Sequence, residues 1–229
     1  TEIFLKRMTK IFPSNLIKIC TSGYRSKNFF LPFKNKYNVE IFVGENKNVL
    51  SRILKCMKKN NLKHFVRVTG DNPFTDLNKI ITLVKMHVKN QNDYTYTTSL
   101  PVGLRSEVFS YNALLRCEKN IVDPNSTEYL TYYFLREDLY KIQCVKFKKY
   151  CKIQDRLSIS IDYRSDLNLA SKILQQFNNN IHVSTKKIVN FLKNNSKPVK
   201  LIKSFKLKTN KYDVRYKSDK RLKKVNFIN

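Results

Sequence analysis

Short runs rich in Ile, Val, Phe and Tyr alternate along this chain with segments of helical apolar spacing, and that alternation restricts the fold more than any other feature. "LIKICTSG" (16–23) and "VEIFVG" (39–44) read as strands, each stopped by glycine. From Asn48 to Lys59, Leu50, Ile53, Leu54 and Met57 share one helical face. "HFVRVTG" (64–70) is the next strand, and Ile80, Ile81, Val84 and Val88 mark a helix after it. "DYTYTT" (93–98) reads as a strand, and "EVFSYNALLRC" (107–117) passes from strand into helix. Asn125 and Glu128 form a capping-box-like pair opening a helix within 123–137. "YKIQCVKF" and "LSISID" are strands, and "SDLNLASKILQQF" is a helix facing Leu167, Ala170, Leu174 and Phe177 inward. "STKKIVNFLKNN" is a last helix with Ser184 as its cap. The pattern predicts an α/β layer structure with a mostly parallel sheet flanked by helices.

Residues 1–195 form one domain on this reading, and 196–229 a basic tail. Residues 186–229 carry fifteen Lys and Arg against Asp213 and Asp219, a net of 15 − 2 = +13. The whole chain of 229 residues carries +28, which raises nucleic acid as a partner. The rest of the composition weakens that inference. Lys, Asn, Ile, Phe and Tyr abound while Ala, Gly, Pro and Trp are scarce, the signature of AT-rich coding. Five scattered cysteines with no C-x-x-C pair read as reduced thiols in a cytoplasm. No apolar run reaches the roughly 20 residues of a membrane span.

In open α/β sheets, ligands bind beyond the carboxyl ends of the strands. That rule selects Thr69-Gly70-Asp71, after the strand at 64–68, and Asp162, after 157–161. Gly44, Gly70 and Gly103 lie at strand ends or in loops beside charged residues, where glycine permits close approach to a ligand.

"VGENKNVLSR", "VRVTGDNPFTD", "LPVGLRSEVFSYNAL", "DPNSTEYLTYYF" and "LSISIDYRSDL" follow one another in the order and spacing of the cytidylyltransferases. The chain resembles the group named for spore coat polysaccharide biosynthesis protein F, allied to CMP-KDO synthetase, over about residues 1–195. The resemblance implies a Rossmann-like fold of the GT-A type and transfer of CMP from CTP to the hydroxyl of an acidic sugar. It implies Asp71 and Asp162 as ligands of Mg²⁺, and Arg67 and Arg52 lining the nucleotide or sugar pocket. Gly103, Glu107 and Glu128 would lie toward the acceptor sugar. Relatives are commonly dimers, so a homodimer is implied as well. Attack on an α-phosphate builds negative charge on oxygens, which a divalent cation held by carboxylates offsets. Plainer roles stand beside these: Asp71 in an Asx turn, Asp162 as a helix cap, Glu128 in its capping box, Arg52 in solvent. Asp76 reads as the cap of the next helix, and Asp166 as a complement to a helix dipole.

The family opens with a strand and an R-x-G-S-x-R-L-P-G-K loop that binds the CTP phosphates, and nothing in residues 1–229 matches it. The family's first strand lies between the strands at 16–21 and 64–69, so its loss would leave unpaired edges there. Little or no turnover is the resulting expectation. Two other readings remain open: a decayed homologue without activity, and a basic nucleic-acid binder.

Overall fold

The computed structural model describes residues 1–121, 123–148, 157–195 and 225–228. Helix α1 (Glu2–Ile11) leads through a 3₁₀ turn at Ser14–Leu16 into β1 (Lys18–Ser22), followed by α2 (Gly23–Tyr37), β2 (Glu40–Gly44) and α3 (Val49–Lys59). Next come β3 (His64–Arg67), α4 (Leu77–Lys89), β4 (Tyr94–Tyr96), β5 (Glu107–Ser110) and α5 (Tyr111–Asn120). A 3₁₀ segment (Pro124–Phe134) precedes β6 (Ile142–Phe147), α6 (Arg164–Gln176), α7 (Thr185–Asn195) and β7 (Val225–Ile228).

The strands form two sheets. One is the parallel pair β1–β2, and the other has the order β3-β5-β4-β6-β7. β4, β6 and β7 run parallel, whereas β5 runs against both neighbours, with Arg67 and Tyr96 opposite Glu107. Among the described residues β1 pairs only with β2, and β3 only with β5. The division therefore falls between the two strands that the sequence reading expects to flank the family's first strand. No residue of β1 or β3 is fully buried, while all three of β4 are.

Side chains alternate across the larger sheet, as the two-residue period of a strand requires. Tyr94, Tyr96, Phe109 and Cys144 face a core shared with α3, α5 and the 3₁₀ segment, through Leu50, Leu54, Met57, Leu114 and Phe134. Val108, Val145 and Phe147 face the opposite core, with Leu83 of α4, Ile173 of α6 and Ile188 of α7. The result is a three-layer sandwich. The smaller sheet has its own minor core of Leu5, Ile17 and Val39 beneath α1 and α2.

Several local expectations are corrected. The 157–161 stretch forms only an isolated bridge, Val102 with Ser158, because its backbone bonds loops on both sides instead of a strand. The 123–137 helix is 3₁₀ and is capped by Asp123, whose carboxylate accepts from Asn125 N, rather than by Asn125. α4 turns Leu77, Ile80, Leu83 and His87 inward and leaves Ile81 and Val88 exposed. α6 buries Ala170 and Ile173 while Leu167 is exposed. Val225–Ile228, within the stretch assigned to the basic tail, pairs with β6. The remainder of that tail and Cys151 lie outside the described residues.

Candidate active site

Asp71 sits in the turn that follows β3. Asn72 N donates to Thr69 O at 3.1 Å, and Thr75 N to Asn72 O at 3.2 Å, which closes the turn on itself. The 159–162 segment crosses directly over it. Ile161 N donates to Asp71 O at 2.9 Å, and Ser160 Oγ donates to Asp71 Oδ2 at 3.0 Å. Asp162 is the next residue, so the crossing brings its backbone to the turn that carries Asp71. Neither plainer role applies to these two acids. Asp71 makes no local side-chain turn bond, and the start of α6 is closed by Asp166, whose Oδ2 accepts from Asp162 N at 3.0 Å and Tyr163 N at 2.8 Å. Among the described residues, Asp71 Oδ1 and the Asp162 carboxylate have no hydrogen-bond or salt-bridge partner. In a chain with 45 Lys and Arg, that is an open pair of hard oxygen donors. No group of three or more His, Cys, Asp or Glu side chains forms a metal cluster among the described residues.

Gly103 makes the crossing possible. Its φ is +91°, and a Cβ there would lie 2.5 Å from Ser160 N and 2.6 Å from Ile159 C. Ile159 N donates to Val102 O at 2.9 Å, so the 101–104 loop and the 159–161 segment lie backbone against backbone. Only glycine combines that conformation with that proximity.

Glu107 of β5 is the hub of a second group of polar contacts. Its Oε2 accepts from Arg67 Nη1 at 3.0 Å, and its Oε1 accepts from Tyr94 OH and Thr131 Oγ1, each at 2.6 Å. Arg67 Nη2 also reaches Glu128 O at 3.4 Å. Burial and the adjacent Glu107 charge hold the Tyr94 hydroxyl firmly protonated, so it is a fixed donor. The Glu128 side chain is exposed, and with Asp123 rather than Asn125 as the cap it does not stand at the third helical position of a capping box. Arg52 is half-buried, and its Nη1 donates to Glu45 O at 2.7 Å. Gly44 admits it, since a Cβ there would lie 2.6 Å from Arg52 Cγ. Burial and the nearby positive charge of Arg67 both push the Arg52 guanidinium below its ordinary pKa.

Sequence reasoning did not find Ser160, Tyr94 or Thr131 as parts of this arrangement. The alternation Ser158-Ile159-Ser160-Ile161 places both serines on one face, which is a faint signal; the others carry none. A separate cavity of about 530 Å³ lies at the α6–α7 turn, lined by Phe177, His182 and Lys187 among others. It contains none of the residues above.

Known proteins bear on this geometry. The cytidylyltransferase family model matches residues 5–188. The chain belongs to the cytidylyltransferase family. An uncharacterized protein of Methanocaldococcus jannaschii is 31% identical over 195 residues, covering 85% of this chain and 79% of its own. The Bacillus subtilis spore coat polysaccharide biosynthesis protein SpsF is 26% identical over 184 residues, 79% of this chain and 75% of its own. Among solved structures, a cytidylyltransferase from Leptospira borgpetersenii superposes with a TM-score of 0.71 at 19% identity, over 84% of this chain and 82% of its own. A CMP:2-keto-3-deoxy-manno-octonic acid synthetase complexed with CTP gives 0.56 at 10% identity, over 77% and 87%. These two likenesses concern the fold, which is Rossmann-like and mostly parallel in this cytidylyltransferase as in its neighbours. No helix among its described residues is long and apolar enough to cross a membrane.

Proposed function

We propose that the crossing at Asp71 is the catalytic face of a CTP-dependent enzyme that transfers CMP to the hydroxyl of an acidic sugar and releases pyrophosphate. The observation that carries this reading is the crossing of the 159–162 segment over the turn after β3, which sets Asp162 one residue beyond the Ile161–Asp71 hydrogen bond. Mg²⁺ would be held by these two carboxylates, and when bound it would offset negative charge on the phosphate oxygens. Family membership supports CTP as donor. The names of two relatives, a polysaccharide biosynthesis protein and a CMP-ketosugar synthetase, support a sugar acceptor.

This chain's own residues bind and orient. Arg52 and Arg67 attract the anionic groups of the substrates, and Glu107 fixes Arg67 through its salt bridge. Gly103, Glu107 and Glu128 stand toward the acceptor. The sugar hydroxyl is the nucleophile, so no nucleophilic side chain is required.

The test is calorimetric titration of CTP in the presence of Mg²⁺. Asp71→Asn and Asp162→Asn each weaken binding by roughly tenfold or more, the usual penalty for disturbing a metal site. Binding that survives both substitutions unchanged refutes the assignment. Pyrophosphate release from CTP with Mg²⁺ and an acidic sugar tests the transfer itself, and the same two substitutions abolish it.

A further inference from the structure

Arg7 is the cation that the sequence gives least reason to notice. It follows exposed Lys6 on α1, yet only 5% of its surface is exposed. Its Nη1 donates to Pro73 O and its Nη2 to Thr75 O at 3.2 Å, while the guanidinium carbon stands 5.8 Å from the centroid of the Phe74 ring. Nε has no partner among the described residues, so the two Nη groups make the whole polar contact. No carboxylate lies at salt-bridge distance among the described residues. Asp76 is close enough to favour the cation, but its oxygens accept from Lys79 N and Thr185 Oγ1.

Burying a guanidinium without a paired carboxylate opposes folding. What this one holds is the loop that carries Asp71. Pro73, Phe74 and Thr75 are all buried, and without Arg7 the carbonyls of Pro73 and Thr75 would lack these donors. The loop is thus fastened at both ends: the Asp71 end by Ser160 and Ile161, the 73–75 end by Arg7. Asp76 N donating to Leu104 O at 3.0 Å ties the same loop to the Gly103 crossing.

We propose that Arg7 is a positioning residue whose two-pronged grip on Pro73 O and Thr75 O holds the 69–76 loop so that Asp71 faces a divalent cation. This rests on the reading of Asp71 given under Proposed function. A lysine preserves the charge but presents one ammonium, a point donor that does not reproduce the planar fork. The grip, rather than the charge, is what the site requires.

The experiment titrates Mn²⁺ alone into the full chain, following free aqua-Mn²⁺ by electron paramagnetic resonance, for the wild type, Arg7→Lys, Arg7→Met and Asp71→Asn. Circular dichroism and amide exchange accompany each titration. Arg7→Lys keeps the native dichroism, loses about tenfold in Mn²⁺ affinity, and exchanges faster at residues 70–76 but not at β4–β6. Arg7→Met loses at least as much. Should Asp71→Asn lose affinity while Arg7→Lys stays within about twofold of wild type, the positioning role is overturned and the metal assignment stands. Unchanged affinity in Asp71→Asn overturns the metal assignment and this proposal with it. If Arg7→Met alone unfolds, Arg7→Lys decides. Unfolding of both makes Arg7 a support of the whole fold and overturns the proposal.

Discussion

Acidification should cost this protein stability through a single buried imidazole. His87 of α4 has no exposed surface; its Nδ1 lies 2.9 Å from Thr95 Oγ1, and its Nε2 lies 3.2 Å from His64 Nδ1. The two rings meet edge to face with centroids 5.1 Å apart. Burial pushes the His87 pKa down to about 4, the nearby His64 pushes the same way, and Asp93 opposes. An unfolded histidine titrates near 6.5, so between those values the unfolded chain binds a proton that the folded chain refuses. The stabilisation is complete above about pH 6.5 and is lost as pH falls toward 4. The full difference of about 2.5 pKa units corresponds to roughly 3 kcal/mol, and most of it is gone by about pH 4.5. Against a typical stability of roughly 5–15 kcal/mol, that is a large fraction. Urea unfolding at a series of pH values, for the wild type and for His87→Gln, measures it. Glutamine retains an amide able to meet Thr95 but does not titrate. The wild-type curve falls across this window and the variant's is flatter by about 3 kcal/mol. Parallel curves, or an NMR titration placing His87 above about pH 6, refute the reasoning.

Two further substitutions probe the site. Gly103→Ala forces a methyl group onto the Ser160 and Ile159 backbone at positive φ, so it costs at least about 2 kcal/mol by thermal melt and weakens Mg²⁺-dependent CTP binding together with it. Glu107→Gln keeps the shape of the hub but removes its charge from Arg67, so it weakens CTP binding while the melting temperature falls by only a few degrees, about 1–2 kcal/mol.

The elements legible in the sequence are those whose local pattern coincides with their packing. The inward face of α3 follows from strict spacing, and Leu50, Ile53, Leu54 and Met57 are all buried. In α4 the β-branched Ile81 and Val88 suggest a face one position away from the real one, because the sheet also accepts His87, which satisfies its polar atoms internally. α2 has no amphipathic face to read: Pro32 sits within it and none of its residues is fully buried. The direction of β5 is invisible locally, since antiparallel and parallel strands share one period. Asp71 and Asp162 stand out in the sequence as acids after strand-like runs, although only the first run is a strand. Ser160 and Arg7 act over 89 and 66 positions through the tertiary fold, and nothing nearby in sequence announces them.

The split between the two sheets gives the molecule an uneven resistance to opening. The β1–β2 pair rests on three buried apolar residues, whereas the five-stranded sheet is clamped between two extensive apolar layers. Fluctuations that unzip the pair can therefore occur while β4, β5 and β6 stay shut, which places the first cooperative unit to come apart beside Arg52; the Asp71 loop spans the two, held by Ser160 on the sturdier side and by Arg7 of α1 on the other.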